Sequence, residues 1–353
     1  MIRVREGVVT EVRAQWPGAR ELSVAVDDHD VRALAYTDVV GAPEPGDRVI
    51  LNATALLMGL GTGGYAMVVA IPDRLPADPA SGPGHLVKAR YTPLQTTVLG
   101  VDEQESPEHD VLRDVDDLDG MPVVVADLHS ALPAIVAGAR ARRDRLRTAY
   151  VMTDGGALPI AFSRTVATLR EKGWLDATIT VGQAYGGDYE AVSVQSGLLA
   201  ARHVVDADIV VVAQGPGNLG TGTRWGFSGV VAGEAINATA TLGGRPIGSL
   251  RVSQADRRDR HFGVSHHSLT AYGRVALAPA DIVVPRLDGE FGQRVRDQAA
   301  RLAARHSVVE RTCDGLLEAL RAAPVRLSTM GRGLDDDRAS FLAAAVAGRF
   351  AVE

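Results

Sequence analysis

Three histidines fall within seven residues in RHFGVSHH, at positions 261, 266 and 267, beside Asp256, Arg257, Arg258 and Arg260. Imidazoles crowded in this way can ligate a metal, move protons on an anionic substrate, or form a hydrogen-bonded structural cluster. The H-x4-HH spacing matches no familiar zinc pattern, so the residues alone leave all three chemistries open. DLHS places Asp127 and His129 two residues apart after the apolar run PVVV, where both can point to one side. Asp154, in TDGG, is followed by a glycine pair that would let a ligand approach the backbone.

GPGNLGTGTRWGFSG, residues 215–229, carries six glycines between the apolar run DIVVVAQ and an expected helix. The context gives G-x-G-x-x-G a physical meaning: successive N–H groups and a helix dipole can hold an anion. Gly215, Gly217, Gly220 and Gly222 would form that cradle with Thr221 and Thr223, and Arg257 or Arg260 would neutralise charge. Two features depart from a dinucleotide fingerprint. The turn follows about the fourth strand of its domain, and no acid stands at a strand end some 20 residues further on to meet a ribose. A Walker loop is excluded because the chain has only Lys88 and Lys172. A phosphate cradle of another kind and a purely structural turn both remain.

These residues need elements to position them. In residues 1–72, VVTEV, ELSVAV, VRALAY, RVILNA and YAMVVAI alternate or form short β-branched runs separated by turn signals, which predicts a small antiparallel barrel or sandwich. Residues 73–85, rich in Pro and Ala, read as a linker. ESPEHDVLRDVDDL reads as an acidic helix with Ser106 as its N-cap. From residue 121, within an α/β domain spanning 86–353, continuous apolar runs alternate with amphipathic segments. That rhythm predicts a doubly wound, mostly parallel, Rossmann-like sheet. In such a sheet ligands bind beyond the carboxyl ends of the strands, where DLHS, TDGG, the Gly-rich stretch and the histidine stretch all fall.

A net charge of −6 argues against a nucleic-acid partner, and the one basic cluster, RARRDRLR at 140–147, lacks interleaved aromatic residues. Cys313 stands alone, which rules out an intrachain disulfide. No apolar run is long enough for a membrane span, and the expectation is a cytoplasmic protein. The N-terminal domain could serve as a homo-oligomer contact.

GDRVILNATALLMGLGTGGY, HLVKARYTPLQ, GPGNLGTGTRWGFSG, RHFGVSHH and STMGRG together resemble a bacterial family catalogued as domain of unknown function 3866. The resemblance spans nearly the whole chain and implies no activity, substrate or site residue.

The residues support first an enzyme that binds a small anionic ligand, phosphorylated or nucleotide-like, with no cofactor identified. His129, His266 and His267 would supply acid–base groups, and Asp127 and Asp154 would orient or polarise. One alternative is a metal-dependent hydrolase drawing ligands from Asp127, His129, Asp154, His261 and His266. The other is a non-catalytic ligand sensor or assembly module.

Overall fold

Alternating apolar residues near the N-terminus form five strands: β1 (Val4–Trp16), β2 (Ala19–Val26), β3 (His29–Tyr36), β4 (Arg48–Asn52) and β5 (Ala66–Ala70). They close into a barrel in the order β1-β2-β3-β5-β4, with β4 pairing antiparallel to β1. The long β1 borders both β2 and β4, and register shifts after Val9 and Val12 bend it. Val9, Leu22, Val24, Val49, Leu51 and Val68 fill the interior. The structure is a computed structural model that describes residues 1–61, 63–78 and 82–353. The linker expected at 73–85 includes residues 79–81, which lie outside the described residues.

A hairpin of β6 (Leu86–Lys88) and β7 (Thr96–Val98) follows. The acidic stretch after it departs from expectation: only His109–Leu112 is helical, and Ser106 Oγ instead accepts the Glu108 N–H at 3.2 Å in a turn. Nine acids in residues 101–120 leave too little apolar surface to dock a longer helix.

The second domain is built on eight parallel strands. These are β8 (Pro122–Val125), β9 (Thr148–Thr153), β10 (Ala177–Thr180), β11 (Tyr189–Glu190), β12 (Ile209–Gln214), β13 (Arg245–Ser249), β16 (Asp281–Pro285) and β17 (Ser307–Arg311). Their spatial order is β11-β10-β9-β12-β8-β13-β16-β17. A two-stranded ribbon of β14 (Val252–Ser253) and β15 (Gly263–Val264) rises beyond β13. The late run VRLSTM adds no strand to this sheet and gives only the tiny pair β18 (Ser328–Thr329) and β19 (Arg332–Gly333). Met330 and Gly331 both have positive φ (50° and 80°), so the chain reverses there before a longer strand can form.

Successive residues of each strand face opposite layers. Val123, Val125, Val210 and Val212 pack under the helices Val194–His203 (α3), Ala232–Thr241 (α4) and Gly289–Ala299 (α6). Val124, Tyr150, Val211 and Ala213 pack under Leu132–Arg142 (α1), Arg164–Glu171 (α2) and Arg338–Ala351 (α8). The short helix α5 (His266–Thr270) lies with the first group and α7 (Leu316–Arg321) with the second. Neighbouring β8 and β12 therefore send their chains to opposite faces, β8 to α1 and β12 to α4. That divergence opens a crevice at their carboxyl ends. No helix among the described residues is long and apolar enough to cross a membrane.

The barrel is seated on the segment after β9. Trp16 Nε1 donates to Ala161 O at 2.6 Å, the Arg164 guanidinium lies 5.8 Å from the Trp16 ring centre, and Tyr65 meets Phe162 edge-on.

Candidate functional site

Asp127, at the end of β8, and Gln214, the last residue of β12, meet in the crevice. Gln214 Nε2 donates to Asp127 O at 2.7 Å and to Asn218 Oδ1 at 3.0 Å. Gly229 lets the chain pass this point, since a Cβ there would lie 2.8 Å from Asp127 O. Asp127 is buried, and its Oδ2 has no hydrogen-bond partner. Burial pushes its carboxyl above the usual range, against the opposing pull of the Arg251 charge.

The ribbon β14–β15 and α5 bring the histidine stretch to the same place. Ser265 caps α5 by accepting the His267 N–H, and its Oγ also lies 2.8 Å from His261 Nδ1. One ring nitrogen from each of His261, His266 and His267 lies within 4.8 Å of the others. His266 Nε2 is buried with no partner. Arg251 Nη1 donates to His267 Nδ1 at 3.1 Å, and Asp127 Oδ2 lies 3.8 Å from the same nitrogen. Burial, reinforced by the Arg251 charge, holds His261 and His267 down to about 3, and burial also lowers His266. A neutral ring keeps one unprotonated nitrogen, and that of His267 is Nδ1, which accepts from Arg251.

The surrounding charges are largely paired. Asp256 takes Arg258 in a bidentate pair at 2.9 and 2.7 Å, and those hydrogen bonds hold it far below the usual carboxylate range. Arg332 bridges Asp256 and Asp337, at 3.4 and 3.1 Å, while Ser253 Oγ donates to Asp337 at 2.6 Å. Arg260 differs: it is exposed and pairs with no carboxylate among the described residues.

The Gly-rich stretch is a short hairpin-like loop fastened to this cluster. Phe227 stacks flat on His267, with ring centres 3.9 Å apart and planes 3° from parallel. At Gly222, where φ is +81° and only glycine is at ease, a Cβ would lie 3.7 Å from Arg260 Nη1. Gly217 also has positive φ and open space around it, Gly220 pairs with Phe227, and Gly215 packs beside Met152. The hydroxyls of Thr221 and Thr223 turn into the loop, 3.1 Å from each other, and Thr223 Oγ1 accepts the Gly226 N–H. They close the loop rather than lining an open cradle.

Three residues singled out from the sequence stand apart. His129 points away from the other histidines: its Nδ1 lies 3.0 Å from Tyr150 Oη and its Nε2 2.7 Å from Ser163 Oγ. Tyr150 Oη is within reach of two carbonyls, Ala213 O and Gln214 O, so His129 Nδ1–H donates to it and Ser163 O–H donates to Nε2. Asp154 is exposed and closes its own turn, accepting from the N–H groups of Ala157 and Gln183. Arg257 is exposed and makes no salt bridge among the described residues.

Sequence reasoning did not single out Arg251, Gln214, Tyr150 or Ser163. Arg251 and Gln214 each sit at the end of an apolar run, the one signal available. Tyr150 lies inside a run that reads as core.

A groove of about 760 Å³ opens at the opposite, amino ends of the strands, lined by Arg140, Arg145, Arg147 and Arg202 among acids. Arg147 pairs with Asp206 and Arg202 with Asp119, at 2.7 and 2.9 Å, which makes it a solvated ion-pair surface. The crevice at Asp127, Ser249, Arg251 and Thr329 encloses only about 20 Å³. Its importance lies in which groups meet there.

A family model described as protein of unknown function (DUF3866) matches residues 32–348. The chain belongs to this family. The match runs from β3 of the barrel to within α8, so the DUF3866 model takes in part of the barrel, the Gly-rich loop and the histidine cluster together. No curated protein matches this DUF3866 chain.

Proposed function

We propose that this DUF3866 protein is an enzyme whose crevice between β8 and β12 takes a small anionic ligand, phosphorylated or nucleotide-like. The observation that carries the reading is Arg260. Its guanidinium is free of carboxylates among the described residues and stands beside both the left-handed turn at Gly222 and the ring of His261, 3.4 Å from Arg260 Nε. An anion seated there would meet a charge-assisted donor at the turn of Gly222, with Gly217 on the same loop, and Asp127, its carboxyl raised by burial, is the candidate proton donor or acceptor of the crevice.

Thermal-shift titration of the full chain with inorganic phosphate, pyrophosphate and ADP tests the reading. A ligand at ~100 Kd should add about 2.7 kcal/mol of stability. Arg260→Ala should weaken binding roughly 10- to 100-fold, the worth of one hydrogen bond to a charged group. Gly217→Val should abolish binding while the fold persists. If both variants bind as the wild type does, the ligand site is elsewhere. Tight binding with no turnover of any phosphate ester or anhydride would favour a sensor over an enzyme.

A further inference from the structure

We infer that His261, His266 and His267 form a three-histidine site for a divalent transition-metal ion, each ring offering Nε2, with Asp127 as the carboxylate that orients His267. The inference shares the crevice with the function proposed above but does not depend on an anionic ligand.

The nitrogens sort themselves by their partners. His261 Nδ1 is engaged by Ser265 Oγ at 2.8 Å, which leaves Nε2 facing the cluster with only a long 3.4 Å approach from Arg260. His266 Nε2 is buried and has no partner, a costly position for a group that can accept a hydrogen bond or a metal. His267 Nδ1 faces Arg251 and Asp127, again leaving Nε2. One nitrogen of each ring lies within 4.8 Å of the others, whereas nitrogens sharing a tetrahedral ion at ~2.1 Å stand about 3.4 Å apart. Movements of at most about 0.8 Å per ring would close that difference.

Asp127 supplies the second, independent observation. Its Oδ2 is an unpartnered oxygen on a side chain only 3% exposed, 3.8 Å from His267 Nδ1. Arg251 now donates to that nitrogen, so the ring proton sits on Nε2. Coordination through Nε2 would place the proton on Nδ1, which would donate a hydrogen bond to Asp127 Oδ2 once the present 3.8 Å gap closes and Arg251 turns toward the carboxylate. This is the carboxylate–histidine–metal arrangement that fixes ring orientation in metal sites. Phe227, stacked on His267, holds the ring plane. Arg258 and Arg332 are neutralised by Asp256 and Asp337, and Asp127 offsets Arg251; Arg260, unpaired with a carboxylate among the described residues, must turn its exposed guanidinium away from His261 Nε2 when an ion binds. Three neutral imidazoles suit zinc, iron or cobalt, and three protein ligands leave a position open to water or substrate.

The test uses the tag-free full chain, stripped with chelator and reloaded with Zn²⁺ or Co²⁺ alone. One equivalent of zinc per chain by elemental analysis, and a visible absorption band of four-coordinate cobalt, are expected. His266→Ala should lose at least nine-tenths of the bound zinc, with near-UV circular dichroism reporting its fold. If that variant unfolds, the wild-type cobalt spectrum and its displacement by zinc decide. Asp127→Asn should keep one equivalent but bind it 10- to 100-fold more weakly. A folded wild-type chain that takes up no zinc or cobalt, or a His266→Ala variant that keeps its metal, overturns the site. An unchanged affinity in Asp127→Asn overturns the role given to Asp127. None of these readouts involves an anion, so they stand apart from the Arg260 titration.

Discussion

Replacing His129 by glutamine should change how stability depends on pH, by an amount the structure sets. His129 sits between two buried hydroxyls and is held neutral, its pKa lowered by burial from an unfolded value near 6.5 to about 4. As the pH falls, the unfolded chain takes up this proton first. The stability contributed by the neutral ring is complete above pH 6.5, declines between 6.5 and 4, and is gone below that window. Over a shift from 6.5 to 4, the loss between pH 7.5 and pH 5 comes to about 2 kcal/mol. The histidines of the cluster add their own slope to the wild type, so the difference between the two proteins isolates His129. His129→Gln should be the less stable protein at pH 7.5, because two hydrogen bonds to buried hydroxyls are disturbed. Its deficit should then shrink by about 2 kcal/mol at pH 5. Urea unfolding at both pH values, followed by tryptophan fluorescence, gives the four free energies needed. Parallel losses in the two proteins would refute the buried neutral ring.

Lys88→Met should cost about 3–5 kcal/mol, because Lys88 Nζ donates to the carbonyls of Gly182, Ala184 and Ala191 and lies 3.3 Å from buried Glu190. Adding Glu190→Gln should return part of that loss, and urea unfolding of both variants reads it. Gly229→Ala should destabilise by about 1–3 kcal/mol, since its Cβ would press on the backbone of Asp127, and should weaken any ligand of the crevice. Its unfolding curve matching that of the wild type would contradict the close approach. Cys313, its thiol pushed up to about 11 by burial, should resist iodoacetamide at pH 8 in the native state and react once urea unfolds the chain.

The elements were more legible than the site. The five barrel strands and the alternation of strand and helix follow from apolar periodicity, because burying one face or two leaves a direct mark on the sequence. Closure of the barrel left no such mark, since the choice between barrel and sandwich lies in the β1–β4 pairing between distant residues. The co-location of Asp127, the Gly-rich loop and the three histidines could be anticipated, because each follows a strand of one parallel sheet. Side-chain direction could not. His129 stands two residues beyond Asp127 yet turns toward Tyr150, because a 3-10 turn, His129–Ala131, replaces extended chain there. Thr221 and Thr223 look like ligand donors in the sequence, and only the loop's own hydrogen bonds reveal that they close it. Arg251 was hidden for a different reason: a single Arg after a strand is ordinary, and its meaning comes from Asp127 and His267 beside it.

The contact that seats the barrel has a mechanical consequence. Trp16 grips the carbonyl of Ala161, and two residues later Ser163 both caps α2 and bonds His129, which is anchored through Tyr150 to the end of β12. The peptide from 161 to 163 is therefore a lever with one arm on the barrel and the other on the floor of the crevice. A partner that tilted the barrel would strain the floor, and a ligand that stiffened the floor would resist the tilt. Thermodynamic linkage makes the two effects equal in free energy, so each would tune the other's affinity by the same factor.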